Sequence, residues 1–155
     1  ILHGYGRDDI LIGGSDNDDL YGDEGNDILV GGNGYDYMWG GEGHDFFYWN
    51  ANSEFYKTAY DSIRDFDMRD DAIVLEGVLE GYTANSDIAD FIEIHYITKY
   101  SGAFLHIDRD GGGNGGVRDI FSKEMVILLK DTATFTFDNI DIQDMLENGN
   151  ILIIQ

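Results

Sequence analysis

Gly31-Gly32-Asn33-Gly34-Tyr35-Asp36-Tyr37-Met38-Trp39 is followed without a gap by Gly40-Gly41-Glu42-Gly43-His44-Asp45-Phe46-Phe47-Tyr48. Both stretches of nine carry glycine at the first, second and fourth positions and aspartate at the sixth. Working outward, the same frame runs back through Gly22 to Val30, Gly13 to Tyr21 and Gly4 to Ile12 with no insertion. The first position is always glycine (Gly4, Gly13, Gly22, Gly31, Gly40) and the sixth always aspartate (Asp9, Asp18, Asp27, Asp36, Asp45). The eighth is always apolar (Leu11, Leu20, Leu29, Met38, Phe47). Columns held over consecutive copies at a fixed period mark a repeat architecture and exclude a flexible acidic linker, the bland reading of so glycine-rich a stretch.

The nine positions divide by physical role. The first six are turn material, glycine and short polar side chains that tolerate positive φ, and the last three, such as Ile28-Leu29-Val30, favour strand. Two units then make one 18-residue coil of a flattened spiral that stacks its strands in parallel and points the eighth-position side chains inward. Leu11, Leu29 and Phe47 are expected on one side of that core, with Leu20 and Met38 on the other. The predicted fold class is all-β: a parallel β-roll over residues 1–48, then a β-rich capping region with one or two short helices over 49–155.

One committed core side chain per nine ordered residues is a thin hydrophobic return against the conformational entropy lost. Stacking also brings Asp9, Asp27 and Asp45 into one row and Asp18 and Asp36 into another, with like charges about 5 Å apart at the sheet spacing. A hard divalent cation with carboxylate and carbonyl oxygens as ligands suits these rows. Calcium tolerates irregular geometry, whereas magnesium prefers a tight octahedron and keeps its water. Zinc is disfavoured, because cysteine is absent and His3, His44, His95 and His106 form no helical H-x-x-x-H pair.

These nonapeptides resemble the G-G-x-G-x-D-x-U-x repeat of RTX proteins, whose parallel β-roll binds calcium. The resemblance spans residues 4–48 and implies several ions. Each would be held between one turn and the turn two repeats later, by carbonyls of positions two and four of the first, positions one and three of the second, and both aspartates. Carried over, one site uses Tyr5, Arg7, Asp9, Gly22, Glu24 and Asp27. A second uses Gly14, Asp16, Asp18, Gly31, Asn33 and Asp36, and a third Asp23, Gly25, Asp27, Gly40, Glu42 and Asp45. Turns four and five, with Gly32, Gly34, Gly41 and Gly43, need ligands from the segment that follows. Arg7 and Asp16 replace the fourth-position glycine, and Tyr5 and Asp23 the second, where only carbonyls are required.

Beyond the repeats, Asp61-Ser62-Ile63-Arg64-Asp65-Phe66 and Asp71-Ala72-Ile73-Val74-Leu75 read as two strands joined by an acidic turn, with Ile63, Phe66, Ile73 and Leu75 as core candidates. The same D-x-I-x-D-F…D-x-I-x-L segment commonly follows RTX repeats. Asp65 and Asp71 can simply solvate the turn, or Asp61 or Asp65 can complete a calcium site at the open end of the roll. Phe104 to Asp108 and Met125 to Leu129 read as strands. Between them Asp108-Arg109-Asp110-Gly111 starts like a calcium loop, with Asp108 and Asp110 as candidate ligands, but lacks the third aspartate and final glutamate of an EF-hand. Asp138 or Asn139 can cap a short helix with Ile142, Met145 and Leu146 on one face and Gly149 as its stop, before a last apolar strand, Ile151 to Ile154.

The stretch from Phe135-Thr136-Phe137 through Leu146-Glu147-Asn148-Gly149-Asn150-Ile151-Leu152 resembles the carboxy-terminal targeting domain of large bacterial RTX adhesins exported by type I secretion. That resemblance covers roughly residues 50–155 and implies a secreted or cell-surface protein whose partners are calcium and the type I secretion machinery. Composition agrees on a cation as partner. The 155 residues include 31 acidic and 9 basic side chains, a formal charge of −22, which argues against nucleic acid or an anionic membrane. No apolar run approaches a membrane span. The start at Ile1, neither an initiator nor part of an export signal, reads as a piece of something longer, monomeric as a fragment. No G-x-S-x-G, H-E-x-x-H or Walker loop occurs, so no enzyme activity is expected. The alternatives are a module borrowed by a secreted protease, lipase or alginate epimerase, or a carbohydrate-binding strip built from Tyr21, Trp39 and Tyr48.

Overall fold

The computed structural model of the chain describes residues 1–51, 60–97, 102–108, 124–130 and 142–154. The repeats form β1 (Leu2–His3), β2 (Ile10–Ser15), β3 (Asp19–Glu24), β4 (Ile28–Asn33), β5 (Tyr37–Glu42) and β6 (Phe46–Asn50). Alternate strands belong to opposite sheets. β1, β3 and β5 pair in parallel, as do β2, β4 and β6, with partners 18 residues apart: Leu2 beside Leu20, Leu20 beside Met38, Leu11 beside Leu29 and Leu29 beside Phe47. The expected coil of two nonapeptides is therefore present.

The strands are longer than the last three positions of each repeat. β4, for example, runs on through Gly31-Gly32-Asn33, because the neighbouring layer supplies a parallel partner to these residues as well: Gly14 lies beside Gly32 and Ser15 beside Asn33. Only the fourth to sixth positions are left to turn the chain.

The parallel stacks continue past residue 48. β7 (Tyr60–Ile63) lies against β5, and β8 (Ala72–Glu76) against β6. The two strands after the repeats thus do not pair with each other; one extends each sheet. Ile63 falls beside Met38 and Ile73 beside Phe47. The eighth-position column therefore carries on, and Leu11, Leu20, Leu29, Met38, Phe47, Ile63 and Ile73 are all buried between the sheets, with Phe66 and Leu75 added to the same core.

The seven-stranded sheet is completed by β9 (Ile92–Ile97), β10 (Gly102–Asp108) and β11 (Glu124–Lys130), in the order β1-β3-β5-β7-β11-β10-β9. β11 is parallel to β7, and β10 is antiparallel to both β9 and β11. A 3-10 turn, Ile88–Asp90, precedes β9 and is capped by the Asp87 carboxylate, which accepts from the Ala89 N–H. The five-stranded sheet ends on β12 (Ile151–Ile154), parallel to β8. Before it, α1 (Ile142–Glu147) buries Met145 and packs Ile142 and Leu146 against the core. Gly149, at φ 77°, stops this helix, and the Gly149 and Asn150 N–H groups donate to the carbonyls of Leu146 and Met145. Asp138, Asn139 and the segment around Phe135 lie outside the described residues.

Candidate metal centre

Each turn is shaped by what glycine leaves empty. A Cβ on Gly22, Gly31 or Gly40 would overlap the Oδ2 of the sixth-position aspartate of the same repeat, Asp27, Asp36 or Asp45. First-position glycine is thus the space into which the carboxylate folds back. The second and fourth positions are at positive φ throughout, as at Gly14 (102°), Gly25 (138°), Gly34 (145°) and Gly43 (137°). Tyr5, Arg7, Asp16 and Asp23, the departures from glycine, are the non-glycine residues with positive φ among the described ones, at 72°, 92°, 79° and 73°. They keep the turn at the cost of left-handed strain. In later repeats that tolerance ends: Cβ atoms on Gly25, Gly34 and Gly43 would run into the carbonyls of Arg7, Asp16 and Gly25 in the layer below.

Stacking puts the aspartates in two ladders. The Asp9 N–H donates to Asp27 Oδ1 at 2.8 Å, Asp27 N–H to Asp45 Oδ1 at 2.9 Å, and Asp45 N–H to Asp71 Oδ1 at 3.1 Å. On the other side Asp18 N–H donates to Asp36 Oδ1 at 2.8 Å, and Asp36 N–H to Asp61 Oδ1 at 3.0 Å. One oxygen of each upper carboxylate is therefore tied to backbone, which eases the repulsion expected of the bare rows.

The other oxygen is not tied. Oδ2 of Asp18, Asp27, Asp36 and Asp45 is buried and accepts no hydrogen bond. Burial raises the pKa of Asp27 and Asp36, and pushes Asp45 up to about 6. Buried carboxylate oxygens without a partner are costly, and a hard cation supplies the missing partner without requiring a donor group. The residues present fit calcium.

Among the described residues no three His, Cys, Asp or Glu side chains converge as a metal cluster, so two aspartates and backbone carbonyls must form any such site. The structure brings these together as follows. In the first candidate site the Arg7 N–H donates to the Glu24 carbonyl and the Glu24 N–H to the Tyr5 carbonyl. In the second, Gly14 and Asn33 belong to paired strands, the Asp16 carbonyl abuts Gly34, and Gly13 and Gly31 stack. In the third, Asp23 pairs with Gly41, Glu24 with Glu42, and the Gly25 N–H donates to the Glu42 carbonyl. A carbonyl that accepts one hydrogen bond keeps a second lone pair for coordination.

Asp61 and Asp65 are engaged on both oxygens. Asp61 also accepts from the Trp49 indole Nε1 at 2.9 Å, and Asp65 accepts from Gly40 and Gly41 N–H groups at 2.9 and 3.0 Å. Trp49 is passed over by sequence reasoning, and Asp71 is read there only as solvating the turn. Asp71 is buried, takes the ladder position above Asp45, and accepts from the Asp67 N–H at 2.8 Å on its second oxygen. Its signal was present: Asp61-Ser62-Ile63 and Asp71-Ala72-Ile73 each repeat the aspartate and apolar spacing of positions six and eight. Asp108 ends β10, while its side chain and Asp110 lie outside the described residues.

The three ninth-position aromatics do not form one strip. Tyr21 and Trp39 lie on the seven-stranded sheet, stacked at 4.4 Å with His3 stacked on Tyr21 at 4.6 Å and Arg64 against the Trp39 ring. Tyr48 sits on the other sheet and donates to the Glu76 carboxylate. The ring faces a sugar would use on the first sheet are covered by neighbours.

Residues 1–29 and 21–49 match the RTX calcium-binding nonapeptide repeat, in four copies. Residues 1–49 are RTX repeats. The ladder rungs from Asp9 to Asp45 are thus the stacked sixth positions of RTX repeats. No curated protein matches the chain. Among solved structures, that of the AlgE6R3 subunit from the Azotobacter vinelandii mannuronan C5-epimerase is 27% identical, covering 80% of this chain and 72% of that one with a TM-score of 0.48.

Proposed function

We propose that the RTX segment and its β-rich continuation form a calcium-dependent folding and export module from the carboxy-terminal part of a large bacterial surface adhesin, carried out of the cell by type I secretion. The observation that carries the calcium half of this reading is the set of buried Oδ2 atoms of Asp18, Asp27, Asp36 and Asp45 that have no donor. The ligands are Asp9, Asp18, Asp27, Asp36 and Asp45 with the carbonyls of Tyr5, Arg7, Gly14, Asp16, Gly22, Asp23, Glu24, Gly25, Gly31, Asn33, Gly40 and Glu42. Calcium, when bound, supplies the positive charge that lets adjacent acidic layers close on each other. The chain's own part is to fold the carboxylates back over first-position glycines and aim carbonyls between layers through positive φ. At the low calcium of the cytosol these layers stay open, and outside the cell binding becomes folding free energy. The resemblance of the stretch from Phe135 to Leu152 to adhesin targeting domains supports the export half.

Circular dichroism in millimolar calcium and then in excess chelator tests the first half, with strand signal expected only in calcium. Strand content that survives verified removal of the metal would reject it. Asp27 belongs to two sites, so Asp27→Asn is expected to remove two ions by native mass spectrometry; loss of one would reject the shared-ligand arrangement. Deleting residues 131–155 from the full parent protein is expected to leave it inside the cell, and normal secretion would reject the export half.

A further inference from the structure

The ladders contain two kinds of aspartate. In the repeats Oδ2 is buried and without a donor at Asp18, Asp27, Asp36 and Asp45. At the last rung of each ladder it is not. Asp61 Oδ2 accepts from Trp49 Nε1, and Asp71 Oδ2 accepts from the Asp67 N–H, while Oδ1 of each takes the N–H of the rung below. Indole nitrogen only donates. Its proton therefore occupies the Asp61 oxygen whose counterpart in the repeats has no donor, and both residues are about 1% exposed, so bulk solvent does not compete for the pair. Trp49 belongs to β6 in one sheet and Asp61 to β7 in the other, so this hydrogen bond also ties the sheets together across the core.

We infer that Asp61 and Asp71 are not metal ligands but protein-held end pieces of the two ladders, with Trp49 as the positioning residue that sets Asp61. Through their Oδ1 atoms they fix the backbone of Asp36 and Asp45, the last ligand-bearing rungs. The end of the roll next to β7 and β8 is thereby shaped without metal. This rests on the calcium reading above and adds where the metal rows stop.

The test compares the whole chain with Asp61→Asn and Trp49→Phe, reading ions bound per chain by native mass spectrometry and half-saturating calcium by titration. Both variants are expected to hold as many ions as the unmodified chain. Trp49→Phe is expected to need about twofold to fivefold more calcium, since a charged hydrogen bond is lost from a fold coupled to several ions. One ion fewer in Asp61→Asn, with Trp49→Phe keeping them all, would overturn the inference by making Asp61 a ligand. If Trp49→Phe does not fold in saturating calcium, the indole N–H resonance of Trp49 in the unmodified chain, assigned with Trp39→Phe, decides. Slow exchange with solvent and a downfield position in the calcium-loaded form uphold the hydrogen bond to Asp61. Fast exchange in that form would overturn it. An unmodified chain that takes up no calcium would bring down the calcium reading itself, a result distinct from an ion lost only in Asp61→Asn.

Discussion

Gly31 and Gly14 stand at neighbouring kinds of position yet carry different burdens. A Cβ on Gly31 would lie 2.9 Å from both Cβ and Cγ of Asp36, displacing the carboxylate meant for metal, whereas one on Gly14 meets no atom within 4 Å and suffers only from φ of 102°. Gly31→Ala is therefore expected to lower stability in saturating calcium by about 2–3 kcal/mol, and Gly14→Ala by about 1–2 kcal/mol, measured by urea denaturation. Equal losses would mean that the carboxylate does not need the space glycine leaves. At this scale the repeat positions were legible, because a glycine whose missing side chain makes room for a residue five places on recurs in register with it. Trp49 was not legible. Nothing in a lone tryptophan beyond the repeats says that its nitrogen will meet a carboxylate twelve residues away in the opposite sheet.

The two aspartate ladders respond to pH as elements. Burial is the leading cause that raises Asp45 to about 6 and Asp61 and Asp71 to about 7, from the ordinary 3.8. A carboxyl whose folded pKa is raised contributes stability that is fully present below the unfolded value and lost as pH rises through the folded one. Without metal these carboxyls therefore oppose folding more strongly as pH rises from about 4 to about 7, and calcium, which needs the ionised ligands, is expected to reverse that slope, so that stability in saturating calcium rises over the same window. Denaturant titrations in saturating calcium at intervals across that range check the slope; a calcium-loaded chain that weakens toward neutrality would contradict it. β7 and β8 show the limit of local reading. Their aspartate and apolar residues were recognisable as strand and core, but consecutive strands with a turn between them ordinarily suggest a mutual pair. Which sheet each joined depended on partners 25 and 26 residues back, Tyr37 with Ser62 and Phe46 with Ala72.

Across the whole molecule, Asn150 links the carboxy-terminal end to the turn that closes a ladder. Its buried Nδ2 donates to the carbonyls of Met68 at 2.8 Å and Asp71 at 3.0 Å, and its own carbonyl accepts the Ile73 N–H. Asn150→Ala is expected to destabilise the calcium-loaded chain by about 2–4 kcal/mol, and Asn150→Asp by more, because a carboxylate would then face two carbonyl oxygens. Thermal unfolding ranks the two, and an aspartate variant as stable as the native chain would show that this contact does not hold the turn. The nonapeptide period by itself determined the parallel roll, its inward column and its acidic rows, since each follows from residues one or two repeats apart whose spacing matches the coil. Tertiary structure alone decided that both stacks run on through β7 and β8, that Asp71 completes a row, and that Trp49 and Asn150 close the rows' ends. Those outcomes depend on contacts between residues far apart in the chain, where one hydrogen-bond donor in the right place outweighs any local preference.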